Sequence, residues 1–494
     1  MFKKLLVANR GEIAVRILRA AKEQGLSTVA VYSEEDAAAL HVREADEAVC
    51  IGPAESQKSY LRVDGILEAA KKTKADAVHP GYGFLSENAK FAEACEKAKL
   101  TFVGPTSKMI DAMGDKVRSR ETVAKNKVPT VPGTDGITDL KSAVQQVEKL
   151  QKARKDFVYP LLVKAAGGGG GKGMRIVRKP SELKENLERA QSESIKAFNN
   201  PMIFVERYIE NPRHIEVQVL GDGKTTLHLY ERECSLQRRH QKVVEEALSP
   251  SLDETTRKKI LEAGVRAAES VGYKSAGTVE FIVSEQNDFF FLEMNTRIQV
   301  EHPVTEAITG IDLIEQQLNI AQGQKLKIRQ SDIVTRGHAI EARLYAEDCD
   351  SNFLPQPGPL HFLRFPHWKG VRVDTGVVSP TKISSFYDPM IAKVIAWAPD
   401  RESCREKLKL FLGATEIEGL ITNKAFLLEI LGSKFFQKGR YHTHLLESAD
   451  WRKTPKPSSK ILAAFCLKDY LDNRIDFSAT SRSAWQEAYD AVAN

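Results

Sequence analysis

The N-terminal stretch of the sequence alternates short apolar runs with segments of helical spacing, and this alternation constrains the fold more than any other feature. Residues 3–8 (KKLLVA) contain a short apolar run, residues 11–24 carry apolar side chains at helical intervals, and residues 27–32 (STVAVY) contain a second apolar run. The same pattern recurs as far as residue 103. Strands that alternate with helices predict a parallel sheet covered by helices. We therefore expect an α/β domain over about residues 1–115.

The turn after the first strand does not carry a dinucleotide-binding fingerprint. Only Gly11 stands where a GxGxxG motif would be expected, so NAD binding is not supported. The acidic run Glu34-Glu35-Asp36 after the second strand could hold a ribose, but we interpret it as a solvated turn.

Composition excludes several protein classes. The 494 residues predict about three domains. With 42% hydrophobic and 28% charged residues and a net charge of +6, the chain does not resemble a disordered, fibrous or nucleic-acid-binding protein. We find no apolar run long enough for a membrane helix and no N-terminal signal segment. The six cysteines form no CxxC pair, which favours a reducing compartment and a cytoplasmic protein.

Later segments divide the chain further. The Pro- and Gly-rich residues 128–136 mark the entry into a second region, in which strand signals dominate from 203 to 291. A third region runs from about 337 to 447, and the Pro, Ser and Lys cluster at 453–460 is typical of a linker. Other predicted elements are helices at 253–271, 308–322, 401–412 and 423–431 and a strand at 392–397.

A run of five glycines, Gly167 to Gly171, lies between two predicted strands and is the most conspicuous nucleotide-binding signal. Glycines let backbone N–H groups approach a phosphate, and Lys172 adds positive charge. The segment is not a Walker A loop, because Gly173 stands where Ser or Thr should be and a strand follows instead of a helix. We interpret it as a hairpin that forms a mobile lid over phosphates. The alternative is a flexible surface loop.

A second signal is an alternation of polar residues that begins and ends with a glutamate. Five polar residues recur at every second position from Glu293 to Glu301, which predicts one face of a strand. With Glu280 they offer oxygen ligands suited to Mg²⁺. The alternative is the solvated face of an antiparallel strand. The residues of this face are Glu293, Asn295, Arg297, Gln299 and Glu301.

The segment 231–247 is rich in positive charge, with Gln237, His240 and Lys242 close to Arg238 and Arg239. A basic solvated turn is the ordinary interpretation of such a run. An enzyme that transfers a phosphoryl group would also need these cations.

Together the motifs resemble biotin carboxylase, in order along residues 2 to about 445, and several are specific to biotin-dependent carboxylases within the ATP-grasp superfamily. This resemblance implies a Rossmann-like domain (1–115), an ATP-grasp domain (116–330) with a lid at about 131–205, and a C-terminal mixed α+β domain (336–447). The tail 448–494 lies beyond the family's core. Besides the glycine run, the motifs are VANRGEIAVR, HPGYGFLSEN, MGDKV, ENPRHIEVQV, CSLQRRHQKVVEEA, EMNTRIQVEHPVTE and GHAIEARLYAED.

The resemblance also implies roles for single residues. Those implied to bind ATP, with Glu206 and Ile209 at the adenine, are Lys116, Lys164, Gly169, Gly170, Met174, Glu206, Ile209, His214, Gln237 and His240. Those implied to hold Mg²⁺ or Mn²⁺ are Glu280, Glu293 and Asn295. Those implied to bind bicarbonate are Lys242, Arg297, Gln299, the backbone of Val300 and Glu301, which would be the base. Those implied at biotin are Tyr82 and Arg343, and the residues expected to be catalytic are Glu301, Arg343, Lys242 and Arg297.

The implied reaction uses ATP and bicarbonate to carboxylate biotin through carboxyphosphate. None of the seven methionines is followed by lysine, as the Met-Lys-Met biotin site requires, so we expect biotin on another protein. The resemblance implies a biotin carboxyl carrier protein, a carboxyltransferase subunit and a second copy of the chain as partners. The final acceptor stays open between acetyl-CoA, another acyl-CoA, pyruvate and another oxo acid. Alternatives are another ATP-grasp ligase and a non-catalytic nucleotide-binding subunit.

Overall fold

The N-terminal region forms a five-stranded parallel sheet with the strand order β3-β2-β1-β4-β5 in the computed structural model. This confirms the parallel sheet expected from the alternation. One face packs on α3 and α4 around Leu6, Val31 and Phe91. The elements are β1 (Lys4–Val7), α1 (Gly11–Glu23), β2 (Ser27–Ser33), α2 (Leu40–Glu44), β3 (Glu47–Gly52), α3 (Val63–Thr73), β4 (Ala77–His79), α4 (Ala89–Lys97), β5 (Thr101–Phe102) and α5 (Ser107–Gly114).

The structure describes residues 1–165, 174–198, 200–239, 241–448, 451, 463, 464 and 467. The predicted ATP-binding residues Gly169, Gly170 and His240, and the glycine lid itself, lie outside these residues. Among the described residues, no helix has the length and apolar character needed to cross a membrane.

A small three-stranded antiparallel sheet, in the order β7-β6-β8, follows the first region. Strands β6 and β7 pair from Leu161 with Val177 to Lys164 with Met174, so the two flanks of the glycine run form the predicted hairpin. Helices α7 and α8 cover the sheet over a core that includes Phe157. The elements are α6 (Lys116–Lys125), α7 (Leu140–Ala153), β6 (Leu161–Ala165), β7 (Met174–Val177), α8 (Leu183–Phe198) and β8 (Ile203–Arg207).

An eight-stranded antiparallel sheet is the largest sheet of the structure and extends into the C-terminal region. Its order is β13-β12-β9-β10-β11-β14-β21-β19, and the β11–β14 pair carries it across the predicted domain boundary near residue 336. Its elements up to that boundary are β9 (Arg213–Asp222), β10 (Thr226–Arg238), β11 (Gln241–Ala247), α9 (Glu254–Glu269), β12 (Lys274–Val283), β13 (Phe289–Asn295), α10 (His302–Thr309) and α11 (Leu313–Ala321).

The C-terminal region adds three strands to this sheet and packs helices on it. Its predicted strand and helices at 392–397, 401–412 and 423–431 are confirmed, each within a few residues. The elements are β14 (His338–Tyr345), β15 (Glu347–Asp348), β16 (Leu354–Pro355), β17 (Gly358–Leu360), β18 (Phe362–Arg364), β19 (Val371–Thr375), β20 (Thr381–Ile383), β21 (Met390–Ala398), α12 (Arg401–Ala414), β22 (Glu416–Glu418), α13 (Lys424–Gly432) and α14 (Lys434–Gln437).

The solvated turn expected at 34–36 is correct for Glu34 and Glu35, which are exposed, but wrong for Asp36, and the solvated-turn alternative for residues 231–247 is wrong. Asp36 is buried at the end of a short 3₁₀ helix, where it accepts hydrogen bonds from Arg10 and from Tyr60, the latter at 2.6 Å. The basic run 231–247 forms the antiparallel strands β10 and β11, which lie in the middle of the large sheet and are mostly buried. Ion pairing with carboxylates lets these charged residues lie inside the protein.

The helix predicted at 308–322 is confirmed as α11 (Leu313–Ala321), but its predicted start is wrong, because residues 308 and 309 belong to the preceding helix α10. Gly310 ends α10 in the left-handed conformation at φ 71°, which glycine adopts without strain. Asp312 then caps α11 by accepting a hydrogen bond from the Glu315 N–H.

Candidate active site

A cleft of about 880 Å³ opens between the small sheet and the large sheet. Most of the residues predicted to bind substrates line it. They are Tyr82, Lys116, Lys164, Met174, Glu206, His214, Gln237, Lys242, Glu280, Glu293, Asn295, Arg297, Gln299, Val300 and Arg343.

Two predicted residues lie outside the described lining. Ile209 is buried with Val131 and Phe290 in a small apolar cluster beside the cleft. Glu301 is fully buried behind the wall, where it contacts residues that do line the cleft.

Lys242, on β11, is the central cation. Its ammonium lies 2.5 Å from a carboxylate oxygen of Glu216, 2.6 Å from Glu301 and 3.1 Å from Glu280. Burial by itself would favour the neutral amine, but the three carboxylates outweigh it and raise the pKa of Lys242 well above its usual value. Lys242 therefore stays charged and offers a fixed positive site at the cleft wall.

Glu301 lies between two cations. One carboxylate oxygen is 2.6 Å from Lys242, and the other accepts a hydrogen bond of 2.9 Å from Arg343. Burial opposes ionisation, yet Lys242, Arg343 and Arg232 together hold the pKa of Glu301 well below its usual value. The side chain is therefore an ionised carboxylate. An anion that bound to Lys242 or Arg343 would weaken the stabilisation of the Glu301 carboxylate by that cation. Glu301 would then be a stronger base.

The carboxylates Glu280 and Glu293 face each other as cross-strand partners on β12 and β13. Burial raises the pKa of Glu293, and the negative charge of Glu280 raises it further. Asn295 donates a hydrogen bond of 2.8 Å to Glu280. Two opposed carboxylates and an amide oxygen form the hard donor set that Mg²⁺ prefers, and a divalent cation would relieve their repulsion. The residues thus fit the predicted metal.

The predicted strand through Glu301 is wrong in its second half, because β13 ends at Asn295. Beyond it, Arg297 pairs with Glu87 of the N-terminal region at 2.9 Å. Gln299 turns back and donates to Glu280 at 2.9 Å, and Glu301 stands at the start of α10. Arg297 and Gln299 still line the cleft and Glu301 lies behind its wall, but an irregular segment places them there and not a strand face.

At the other end of the cleft, Lys164 of β6 reaches Glu206 of β8 at 2.5 Å. Lys116, at the start of α6, also lines the cleft, and its positive charge acts on Glu293. On the large sheet, Gln237 lies 3.1 Å from the Nδ1 atom of His214, so the two predicted nucleotide ligands of β9 and β10 are neighbours.

The predicted biotin residues lie near the C-terminal strands. The Tyr82 hydroxyl donates to Glu12 of α1, and Lys393 of β21 lies 3.2 Å from the other oxygen of that carboxylate. Lys393 also donates a hydrogen bond of 2.9 Å to the carbonyl of Val300. A single buried lysine thus joins the residues expected at biotin and at bicarbonate.

Sequence reasoning missed several charged residues that complete the site. Glu216 pairs with Lys242 and, at 2.5 Å, with the fully buried Arg232, while Glu245 pairs with Arg343. The alternation His214, Glu216, Gln218 along β9 was a signal for Glu216. Lys393 carried no local signal, because its partners are distant in the sequence.

Comparison with known proteins agrees with this geometry. The biotin carboxylase N-terminal domain matches residues 1–110, the ATP-binding domain of the carbamoyl-phosphate synthase L chain matches 115–329, and the biotin carboxylase C-terminal domain matches 341–448. Biotin carboxylase from Nostoc sp. is 48% identical over 447 residues, which cover 90% of this chain and 99% of that relative.

The chain belongs to the biotin carboxylase family. Members of the family are ATP-dependent ligases. The mitochondrial methylcrotonoyl-CoA carboxylase subunit alpha from Rattus norvegicus is 49% identical over 90% of this chain, which spans only 61% of that relative.

Solved biotin carboxylase structures share the fold. The dimeric biotin carboxylase domain of 2-oxoglutarate carboxylase from Hydrogenobacter thermophilus, solved with MgADP, ADP and bicarbonate, is 46% identical. It has a TM-score of 0.83 and covers 92% of this chain and 100% of its own. The biotin carboxylase from Campylobacter jejuni is 42% identical with a TM-score of 0.84, over 90% of this chain and 99% of its own.

Proposed function

We propose that the chain is the biotin carboxylase subunit of a biotin-dependent carboxylase and carboxylates biotin held on a separate carrier protein. The observation that carries this proposal is the position of Glu301 between Lys242 and Arg343, beside a cleft that also presents Glu280 and Glu293. The arrangement offers a base, two cations for an anionic substrate and a pair of carboxylates for a metal.

In the proposed reaction, bicarbonate lies against Lys242, Arg297, Gln299 and the backbone of Val300. Glu301 removes its proton, and the oxygen so exposed attacks the γ-phosphorus of ATP, releasing ADP and forming carboxyphosphate. Lys242 compensates the negative charge that gathers on the transferring group.

Carboxyphosphate then breaks into CO₂ and phosphate. The phosphate takes the proton from a ureido nitrogen of biotin, and this nitrogen attacks CO₂. Arg343 stabilises the enolate-like ureido oxygen, with Tyr82 near the biotin ring. Closure over the cleft would keep water from the intermediate.

The nucleotide is assigned to the other end of the cleft, with Lys116, Lys164, Met174, His214 and Gln237 as ATP-binding residues and with Glu206 and Ile209 at the adenine. Gly169, Gly170 and His240 complete the proposed set. Glu280, Glu293 and Asn295 would hold Mg²⁺, which when bound neutralises phosphate charge.

We assign the domains to residues 1–115, 116–330 with a lid at about 131–205, and 336–447. The partners in the proposal are a biotin carboxyl carrier protein, a carboxyltransferase and a second copy of this chain. A dimeric solved relative supports the last. A cytoplasmic location is supported by five cysteines that are free thiols in the described residues.

The test is ATP cleavage by the purified chain with Mg²⁺, bicarbonate and free biotin. We expect ADP release that requires bicarbonate and rises with biotin, together with carboxybiotin. ATP cleavage that is indifferent to biotin would support another ATP-grasp ligase instead. No cleavage under any condition, with MgADP still bound, would support a non-catalytic subunit.

A further inference from the structure

Arg120, on α6, is a second cation at the nucleotide end of the cleft and has no part in the reaction described above. Its guanidinium lies 2.5 Å from one carboxylate oxygen of Glu206 and also donates to the carbonyl of Val131. A Cβ atom on Gly133 would come within 3.3 Å of the same guanidinium. The segment that leads into the small sheet therefore holds Arg120 in place beside Glu206.

The carboxylate of Glu206 is shared between two cations from different parts of the cleft. Lys164 of β6 lies 2.5 Å from the oxygen that Arg120 does not contact. The Glu206 side chain is only 11% exposed, whereas those of Lys164 and Arg120 are 29% and 26% exposed. Burial opposes its ionisation, but Lys164 and Arg120 outweigh burial and lower the pKa of Glu206. The carboxylate is therefore charged and needs at least one cation.

Lys164 has two possible anionic partners when a nucleotide binds. A phosphate would compete with Glu206 for this ammonium and draw it away from the carboxylate. A buried carboxylate left without a cation is strongly unfavourable, so Glu206 alone would hold Lys164 back. Arg120 stays on Glu206 and removes that penalty.

We propose that Arg120 is a positioning residue that neutralises Glu206 so that Lys164 can turn to a nucleotide phosphate. This inference rests on the proposed function only in taking Lys164 as a phosphate ligand. Arg120 acts through Glu206 and Lys164 and does not itself contact the reacting atoms.

The first test replaces Arg120 with methionine, which has a similar shape and no charge. We expect Arg120→Met to bind MgADP about tenfold more weakly in calorimetry, which corresponds to about 1.4 kcal/mol. The KM for ATP should rise by the same factor, with kcat changed less than twofold. Arg120→Lys should recover most of the affinity. The matched control is Arg118→Met on the same helix, where an exposed arginine pairs with Asp111 and Asp115 and its loss should change neither constant.

The decisive test repeats Arg120→Met in a Glu206→Gln background. Without the carboxylate nothing holds Lys164 back, so the substitution should change MgADP affinity less than twofold. An equal loss in both backgrounds would show that Arg120 contacts the nucleotide or merely supports the fold, and would overturn the inference. No loss in the wild-type background would overturn it too. Because MgADP binding does not depend on turnover, an inactive wild-type chain would refute the proposed function and leave this test intact.

Discussion

At the scale of single residues, the site depends on carboxylates whose charge is set by neighbouring cations. Glu301 is ionised because Lys242 and Arg343 stabilise its negative charge, which also makes it a weak base in the free enzyme. In the proposed reaction, bicarbonate bound at Lys242 would draw that ammonium away from Glu301. We infer that Glu301 gains basicity only when bicarbonate is in place, which limits wasteful proton transfer.

Glu301→Gln tests this role directly. The amide keeps the shape but cannot accept a proton, so bicarbonate-dependent ATP cleavage and biotin carboxylation should both fall by about 100-fold or more. Calorimetry should show nearly unchanged MgADP affinity. Near-normal carboxylation by this variant would exclude Glu301 as the base.

Arg343→Ala should have a different pattern. Its guanidinium pairs with both Glu245 and Glu301, so ATP cleavage should fall somewhat. Biotin carboxylation should fall much further, because the enolate-like charge loses its partner. ADP release and carboxybiotin are measured in parallel on the same samples. Equal losses of both would contradict the division of roles.

At the scale of the element, the two faces of strand β11 make contacts with different parts of the protein. Glu245 contacts Arg343 at the site, whereas the next residue, Glu246, contacts His338, Arg401 and Tyr441 on the other side. Successive side chains of a strand point to opposite faces. The strand that positions Arg343 is thereby also attached to the C-terminal helices.

Glu246→Gln should destabilise the protein by about 3 kcal/mol at pH 7, the usual effect of breaking a buried ion pair. Burial opposes ionisation of Glu246, but hydrogen bonds from His338 and Arg401 lower its pKa from 4.5 to about 2. Its contribution is therefore present above pH 4.5 and is lost as pH falls toward 2. Urea unfolding should show a smaller difference from wild type at pH 4 than at pH 7.

The control for this variant is Glu402→Gln, the same change in a side chain that is 62% exposed and paired with Arg405. It should cost less than about 1 kcal/mol. A Glu246→Gln variant no less stable than this control would show that the network around Glu246 contributes nothing.

The elements that local patterns predicted are those held by their own spacing of apolar residues. The helix α1 and the strands β1 and β2 are examples, each within one residue of the expected bounds. Such local patterns could not predict the conformation of the segment after Asn295. Thr296 and Arg297 contact Glu87, some two hundred residues away, and Ile298 enters the core beneath α1. Period two placed the polar residues together correctly but could not show where the strand ended.

At the scale of the whole molecule, the large sheet runs through both of the regions that we separated near residue 336 from the sequence. Strand β14 pairs with β11 on one side and with β21 on the other. Arg343 on β14 thus faces the ATP-grasp region across a continuous hydrogen-bonded ladder. Lys242 on β11 and Arg343 on β14, proposed for phosphate transfer and for biotin carboxylation, thus lie on neighbouring strands of one sheet.

The proposed reaction requires biotin to arrive from outside this chain. We expect no covalent biotin on the 494-residue polypeptide, because no methionine in it precedes a lysine. An avidin-family blot of the purified chain, with a biotinylated carrier as positive control, checks this. A biotin signal at the mass of the chain would contradict it.

Lys393 joins the regions most directly, and its replacement provides the last prediction. The fully buried ammonium lies 2.9 Å from the Val300 carbonyl, 3.2 Å from Glu12 of α1 and 3.7 Å from Asp374 of β19. Lys393→Met should destabilise the protein by about 3 to 5 kcal/mol, because buried Glu12 loses its cation, while Asp374 is left with Arg372. Exposed Lys409→Met is the control and should have little effect.

Adding Glu12→Gln separates a specific ion pair from general packing. If the loss arises from an unpaired carboxylate, the double variant should be more stable than Lys393→Met by about 1 to 3 kcal/mol, the usual coupling between contacting charges. Simple additivity would instead indicate that Lys393 only fills space. Because Glu12 also holds Tyr82, the double variant should recover stability without recovering biotin carboxylation. The same buried lysine would then join the N- and C-terminal regions and also align the proposed biotin and bicarbonate sites.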